Sequence, residues 1–381
     1  MSITVWWRRQ RDFIDFCLAS LLRRKVKNLS LLAVYALIIF GFTSVLFFAE
    51  ALKQEAVFIL QDAPEIVVQR MQTGRYMPIP RQYGEAIAEI RGVRAVTPRY
   101  WGYYFHPAAK ANYTVMADPQ GTLAQGQARM GVTAALVWSA VPGGSIVFKG
   151  HDGEIATLTV AELLPATTEL LSADLIVVHP ADFAAIFGLE AHLATDLSVA
   201  VRNPKEVQKV AEKIVQLLPD ARPVLREEMI RTYGALFDWR SGYMLVMLGG
   251  ALLAFFIFAL DKATGLSAEE RAEIAILKAV GWDTADVLTL KFHEGLIVSL
   301  SAFLLGVVGA YLHVFFADGL LFAQALKGWS VIYPQWQPAP AVDFYQLAAV
   351  LGLTVFPYAV ITMVPAWRAA TIDPDTVMRQ V

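Results

Sequence analysis

The sequence predicts an α-helical membrane protein: four transmembrane helices with a large mixed α/β extracytoplasmic domain inserted between helices 1 and 2. Three observations predict it. Four apolar segments, residues 29–49, 241–260, 293–316 and 344–364, each approach or exceed the roughly 20 apolar residues needed to cross a bilayer core, and Glu294 is the one Asp, Glu, Lys or Arg among them. A long stretch of ordinary composition, residues 50–240, separates the first segment from the second. Lys and Arg gather before the first segment and between the second and third, and are sparse between the third and fourth.

Composition narrows the class further. Of 381 residues, 56% are hydrophobic and 17% charged, where a soluble domain carries about 25% charged. A wholly soluble protein is excluded, and the inserted stretch excludes a bundle of membrane helices alone. The net charge of −2 offers no basic footprint, so no nucleic acid is expected as a partner. The single cysteine, Cys17, excludes an intramolecular disulfide. The inserted domain therefore has to stand on its own core, which a chain of its size can build. The chain has no GxxxxGK[ST], GxGxxG, HExxH, CxxC or GxSxG, so no catalytic residue or bound cofactor is expected on it. His106, His151, His179 and His192 are scattered without ligand spacing, and Met71, Met77, Met116 and Met130 recur irregularly, so no metal site is expected.

Charge sets the topology. Seven basic residues precede the first span (Arg8, Arg9, Arg11, Arg23, Arg24, Lys25, Lys27) and four lie between spans two and three (Lys262, Arg271, Lys278, Lys291), whereas residues 317–343 hold only Lys327. Because positive charge resists translocation, residues 1–28, 261–292 and 365–381 are expected in the cytoplasm, and residues 50–240 and 317–343 outside. Trp239, Tyr243, Trp329, Tyr333, Trp336 and Tyr345 gather at the outer boundary, where amphipathic rings favour the interface. Residues 6–22 have the spacing of a helix with one apolar face, lying along the inner surface before span one. A cleaved signal is disfavoured because the first apolar segment is longer than the about 7–15 residues of a signal core.

In the outside domain, residues 65–69, 93–105 (interrupted at Pro98), 145–148, 155–160, 175–178, 197–202 and 221–225 read as strands. Residues 71–80 read as a Gly/Pro-punctuated loop and 81–90 as a helix. Asn203 and Pro204 open a helix to Leu218 whose apolar face is Val207, Val210, Ala211, Ile214, Val215 and Leu218. Residues 50–60 and 227–239 continue spans one and two as helix. The run from Tyr100 to Phe105 is the densest aromatic stretch in the chain and reads as core.

The cytoplasmic loop carries the most specific local signals. Ser267-Ala268-Glu269-Glu270 is a capping-box sequence. A helix through Arg271–Val280 follows, with Gly281 at a left-handed C-cap and Asp283 capping the next helix. The short helix presents Glu269, Glu270, Arg271, Glu273 and Lys278, with Ile274 and Leu277 alongside and Trp282 on the turn. Its amphipathic, mixed-charge character suits docking of a soluble partner as well as it suits a solvated connector.

At these residues the sequence is recognisable. The run from Glu269 to Trp282, with Asp286-Val287-Leu288 and Glu294-Gly295-Leu296, resembles the signature of MacB/FtsX-type ABC transporter permeases, also called type VII or mechanotransmission permeases. The basic entry Arg23–Leu29, the tail Pro365–Ala370 with Ile372-Asp373-Pro374, and the order of one helix, a large outside domain and three helices agree. The resemblance implies a non-catalytic permease subunit of a bacterial inner membrane. In it, Glu269, Glu270, Arg271, Glu273, Ile274, Leu277, Lys278, Gly281 and Trp282 would couple to a cytoplasmic ABC ATPase on a separate chain, and that ATPase would hold ATP and Mg. It further implies a second permease copy (a homodimer, with a heterodimer as the alternative), a periplasmic adaptor of membrane-fusion type, and contact with membrane lipid. ATP hydrolysis would move the outside domain to export or extract a substrate from the membrane or periplasm. The alternative is an FtsX-like signal transmitter that activates an outside partner such as a cell-wall hydrolase.

Overall fold

The structure, a computed structural model, describes residues 3–61, 63–165, 172–264, 268–327 and 337–371. The chain divides into two compact units, one holding Met1–Leu52, Phe237–Lys327 and Pro338–Val381 and the other Lys53–Leu236 and Gly328–Gln337. Its helices are α1 (Ile3–Arg23), α2 (Lys25–Leu60), α3 (Gln82–Ala88), α4 (Val132–Trp138), α5 (Pro180–Phe187), α6 (Val207–Leu217), α7 (Arg226–Thr264), α8 (Ala268–Ala279), α9 (Thr284–Phe316), α10 (Ala323–Lys327) and α11 (Phe344–Ala370). Four of them, α2, α7, α9 and α11, are long and apolar enough to cross a membrane.

At 36 residues α2 is about 54 Å long, and at 39 residues α7 is about 58 Å, so each outruns a hydrocarbon core of about 30 Å. Lipid supplies no hydrophobic drive for apolar helices to associate, so close packing has to hold the bundle. α9 achieves it on two sides with glycine. A Cβ on Gly306 would lie 2.8 Å from Ile39 Cβ and 2.9 Å from the Ala36 carbonyl oxygen on α2. A Cβ on Gly295 would lie 2.6 Å from Thr362 Oγ1 and 3.1 Å from Ala359 Cα on α11. Around these contacts Tyr35, Phe255 and Tyr358 form an aromatic core, with Tyr35 and Phe255 stacked at 4.4 Å. The Tyr35 hydroxyl donates to the Thr354 carbonyl, which satisfies the one polar group that ring brings into the core. His313 closes the far end of α9: its Nε2 accepts from the Leu321 N–H, which leaves Nδ1 to donate to Ser44 Oγ at 3.2 Å. α11 continues through Pro357 and Pro365.

The second unit is mixed α/β. Its strands are β1 (Ile66–Gln72), β2 (Arg75–Met77), β3 (Ile79–Pro80), β4 (Val93–Arg99), β5 (Trp101–His106), β6 (Ala111–Ala117), β7 (Gln127–Met130), β8 (Ser145–Lys149), β9 (Ile155–Leu163), β10 (Leu175–Val178), β11 (Leu193–Ala194), β12 (Asp196–Val201) and β13 (Ala221–Leu225). One sheet has the order β13-β1-β12-β4 with β2 on β1, a second the order β5-β6-β10-β7-β9-β8, and β11 pairs with β3. Each main sheet has its own core, the first around Ile66, Val199 and Ile214, the second around Tyr113, Phe148 and Ile176.

Several elements depart from the sequence expectation. The segment read as a loop over 71–80 is instead the end of β1, β2 and β3. Thr73 (φ 49°) and Gly74 (φ 77°) make the two-residue turn between Gln72 and Arg75, where positive φ at both positions matches the twist of a hairpin. Residues 93–105 are two strands in different sheets. The chain passes between them at Tyr100, whose ring packs against both cores. Pro98 lies inside β4 without breaking it, because β4 is an edge strand and has one side without ladder bonds to make. The aromatic run is only partly core: Tyr103 and Phe105 are exposed. On α6, Val210, Ala211 and Ile214 are buried as expected, but Val215 points away.

The switch at Tyr100 is pinned by a buried carboxylate. Asp196 on β12 accepts two hydrogen bonds from the Arg99 guanidinium, at 2.6 and 2.8 Å, and one from Trp101 Nε1 at 2.9 Å. It is fully buried, and the two-bonded charge-assisted pair with the further bond from Trp101 is the arrangement that makes such burial tolerable. Asp118 works alike on the loop after β6, accepting from the N–H groups of Gln120, Thr122 and Leu123. Burial opposes its ionisation, but these bonds and the Thr122 hydroxyl outweigh it and hold the carboxyl down at about 2.

A depressed folded pKa adds stability that is present above the unfolded value and lost as pH falls toward the folded one. The loop at residues 118–126 should therefore lose amide-exchange protection between about pH 4 and pH 2, and Asp118→Asn should lose it at neutral pH already. In the helical unit, Gly306→Val should lower stability by about 1–3 kcal/mol by overpacking. Gly352→Ala, with nothing within 4 Å, should not lower it, and thermal unfolding in detergent compares the two.

Candidate functional site

The short helix α8 lies between the second and third apolar helices and is held on one face by three other elements. Ile274 and Ala275 are buried, and Ile274 packs with Val287 of α9 and Ala370 of α11. Lys278 Nζ donates to the Ala370 carbonyl at 2.5 Å, and Thr284 Oγ1 reaches the same oxygen at 3.5 Å. Glu273 takes a charged hydrogen bond from Arg24 at 3.0 Å, with Arg23 at 3.7 Å, so α8 is tied to the corner between α1 and α2.

The turn that follows is a complete Schellman motif. The Trp282 N–H bonds to the Leu277 carbonyl and the Gly281 N–H to the Lys278 carbonyl, both at 3.0 Å. Gly281 has φ 103°, which side-chain-bearing residues avoid. The motif throws the Trp282 ring against Phe13 and Phe16 of α1, with centroids 5.5 and 5.9 Å away. Asp283 then opens α9, its N–H bonding to the Asp286 carboxylate at 3.3 Å. Cys17 of α1, fully buried, donates to the Leu290 carbonyl and completes the seating of α1 on α9.

These contacts sort the residues singled out from sequence. Glu273, Ile274, Lys278, Gly281 and Trp282 are brought together, but as the groups that seat α8 and its turn on the bundle. Leu277 is half-buried. Glu269, Glu270 and Arg271 lie on the first turns of α8, and their side chains, like Ser267 of the capping box, fall outside the described residues. Trp329, Tyr333 and Trp336 of the aromatic group and Ile372-Asp373-Pro374 of the tail fall outside them too. What α8 leaves open is Ile276 and Val280, 55% and 76% exposed, one turn apart. Sequence reasoning passed over both. Their i,i+4 spacing opposite Ile274 was the available signal, but a helix with apolar residues on two faces gives no indication which face is covered.

Four apolar helices with a mixed α/β domain between the first and second define a membrane protein of the architecture expected from sequence. Residues 243–374 match the family described as FtsX-like permease C-terminal. Over those residues the chain is similar to FtsX-like permeases, in agreement with the resemblance of its cytoplasmic loop. Among solved structures, the periplasmic region of MacB from Actinobacillus actinomycetemcomitans is similar at 10% identity over 44% of this chain and 91% of that one, with a TM-score of 0.31. The extracellular domain of the noncanonic ABC-type transporter YknZ from Gram-positive bacteria is similar at 10% identity over 42% and 98%, with a TM-score of 0.30. No curated protein matches by sequence.

The partly buried Glu273–Arg24 pair should be worth about 1–3 kcal/mol to the seating of α8. Glu273→Arg should raise amide exchange along α8, and adding Arg24→Glu to it should restore part of the protection.

Proposed function

We propose that this chain is the non-catalytic permease subunit of an ABC transporter, and that α8 is where a separate cytoplasmic ATPase drives it. The observation that carries the reading is the two-sidedness of α8. One face is locked to α1, α9 and α11 by Ile274, Glu273 and Lys278, while the other presents Ile276 and Val280 to solvent. A helix fixed in this way moves with the bundle when its open face is pushed. Two exposed apolar side chains one turn apart suit the groove of a soluble partner. In this reading the end that carries α1 and α8 faces the cytoplasm of a bacterial inner membrane with both termini on the same side, which the basic residues around these helices support.

The consequences follow from helix length. α2 and α7 run for 36 and 39 residues, and in this reading they carry motion of their inner ends outward. ATP and Mg act on the partner ATPase. The permease works as a pair of copies, with a membrane-fusion-type adaptor outside. Motion of the α/β domain exports or extracts a substrate from the membrane or periplasm.

The test is co-purification of the full chain with its cellular ATPase. Val280→Asp and Ile276→Asp should each lower ATPase recovery about tenfold or more, as expected for charge placed in a desolvated contact, while leaving amide protection of α8 unchanged. Recovery of the ATPase at wild-type levels with both substitutions present would refute α8 as its contact.

A further inference from the structure

The helical unit contains a cavity of about 380 Å³ that the coupling reading does not use. It lies between α2, α7, α9 and α11 at the level where α2 begins and α11 ends. Its walls are of two kinds. Val34, Phe258, Val298 and Tyr358 make an apolar body, and Val34 and Phe258, each 51% exposed, open it sideways between α2 and α7. Lys27, Lys291 and Glu294 make a charged end. The carboxylate there is half satisfied: Glu294 Oε2 pairs with Lys291 Nζ at 2.6 Å, while Oε1 is buried with no hydrogen-bond partner. An anionic oxygen kept from water without a donor is costly, so the site is complete only when something brings a donor to it.

We infer that this cavity binds one phospholipid with a phosphoethanolamine headgroup, its ammonium on Glu294 and its phosphate beside Lys27 and Lys291. The chemistry selects that occupant. A hydrocarbon body that opens sideways calls for an acyl chain already in the bilayer, and two ammonium groups suit a phosphate. An ethanolamine headgroup brings the orphan carboxylate oxygen a cationic donor, where a glycerol headgroup brings only neutral hydroxyls. A purely anionic lipid would bring its charge to Glu294 uncompensated. The inference is independent of where an ATPase docks, since none of these side chains lies on α8.

Native mass spectrometry of the full chain in mild detergent tests it, with dioleoyl phosphatidylethanolamine and dioleoyl phosphatidylglycerol titrated separately. Wild type should bind one phosphatidylethanolamine about tenfold more tightly than phosphatidylglycerol. Glu294→Gln should erase that preference, and Lys27→Ala, at an exposed side chain, should weaken both lipids together. Equal affinity of wild type for the two lipids, or a preference that survives Glu294→Gln, would overturn the inference. So would failure to bind either lipid, as when a second copy of the chain fills the opening between α2 and α7. Should Glu294→Gln fail to fold, Lys27→Ala decides: unchanged phosphatidylethanolamine binding overturns the proposal.

Discussion

The helical unit depends on the close approach of α9 to its two neighbours. In lipid, apolar side chains gain little by leaving one hydrocarbon surface for another, so helices associate through fit. Gly306 lets the α2 backbone come within contact of α9, and Gly295 does the same for α11. Neither contact tolerates a Cβ without movement of backbone or of a β-branched side chain. With α9 fixed on both sides, the Tyr35–Phe255–Tyr358 cluster fills the space that remains. The start of α9, with Val287 and Leu290 buried, becomes a rigid base for α1 and α8.

That base changes the meaning of the charged residues on the cytoplasmic loop. Glu273 and Lys278 look like a surface for a partner when the helix is considered alone. On the bundle they are inward fasteners, one to Arg24 and one to the end of α11, and they leave the exposed face to Ile276 and Val280. The seated face of this helix thus mixes polar fasteners with the buried Ile274 and Ala275, and two further apolar side chains are left exposed. In the α/β unit, buried carboxylates play the fastening part: Asp196 holds the passage from one sheet to the other, and Asp118 holds a loop.

The parts of the fold legible in the sequence are those set by local chemistry. Uninterrupted apolar length marks α2, α7, α9 and α11, and the glycine after Val280 marks the end of α8. The strands that escaped notice failed for identifiable reasons. β6 alternates Ala111, Tyr113, Val115 and Ala117 inward, but two of the four are alanines and add little to a period-two signal. β2 is wholly exposed and owes its existence to pairing with β1 rather than to its own burial. His313 in α9 escaped because its partners, Ser44 and the Leu321 N–H, are remote in sequence or on the backbone.

By itself, then, the sequence determined four segments long and apolar enough to cross a membrane, the insertion of a mixed α/β domain and the likeness of residues 243–374 to FtsX-like permeases. Each of these rests on the composition or order of contiguous residues. Only the tertiary structure decided which face of α8 is free, that residues 93–105 serve two sheets, and that Glu294 borders a cavity with one oxygen unpartnered. Those outcomes depend on contacts between residues as far apart as Arg24 and Glu273 or Lys278 and Ala370, and local propensity carries no information about them.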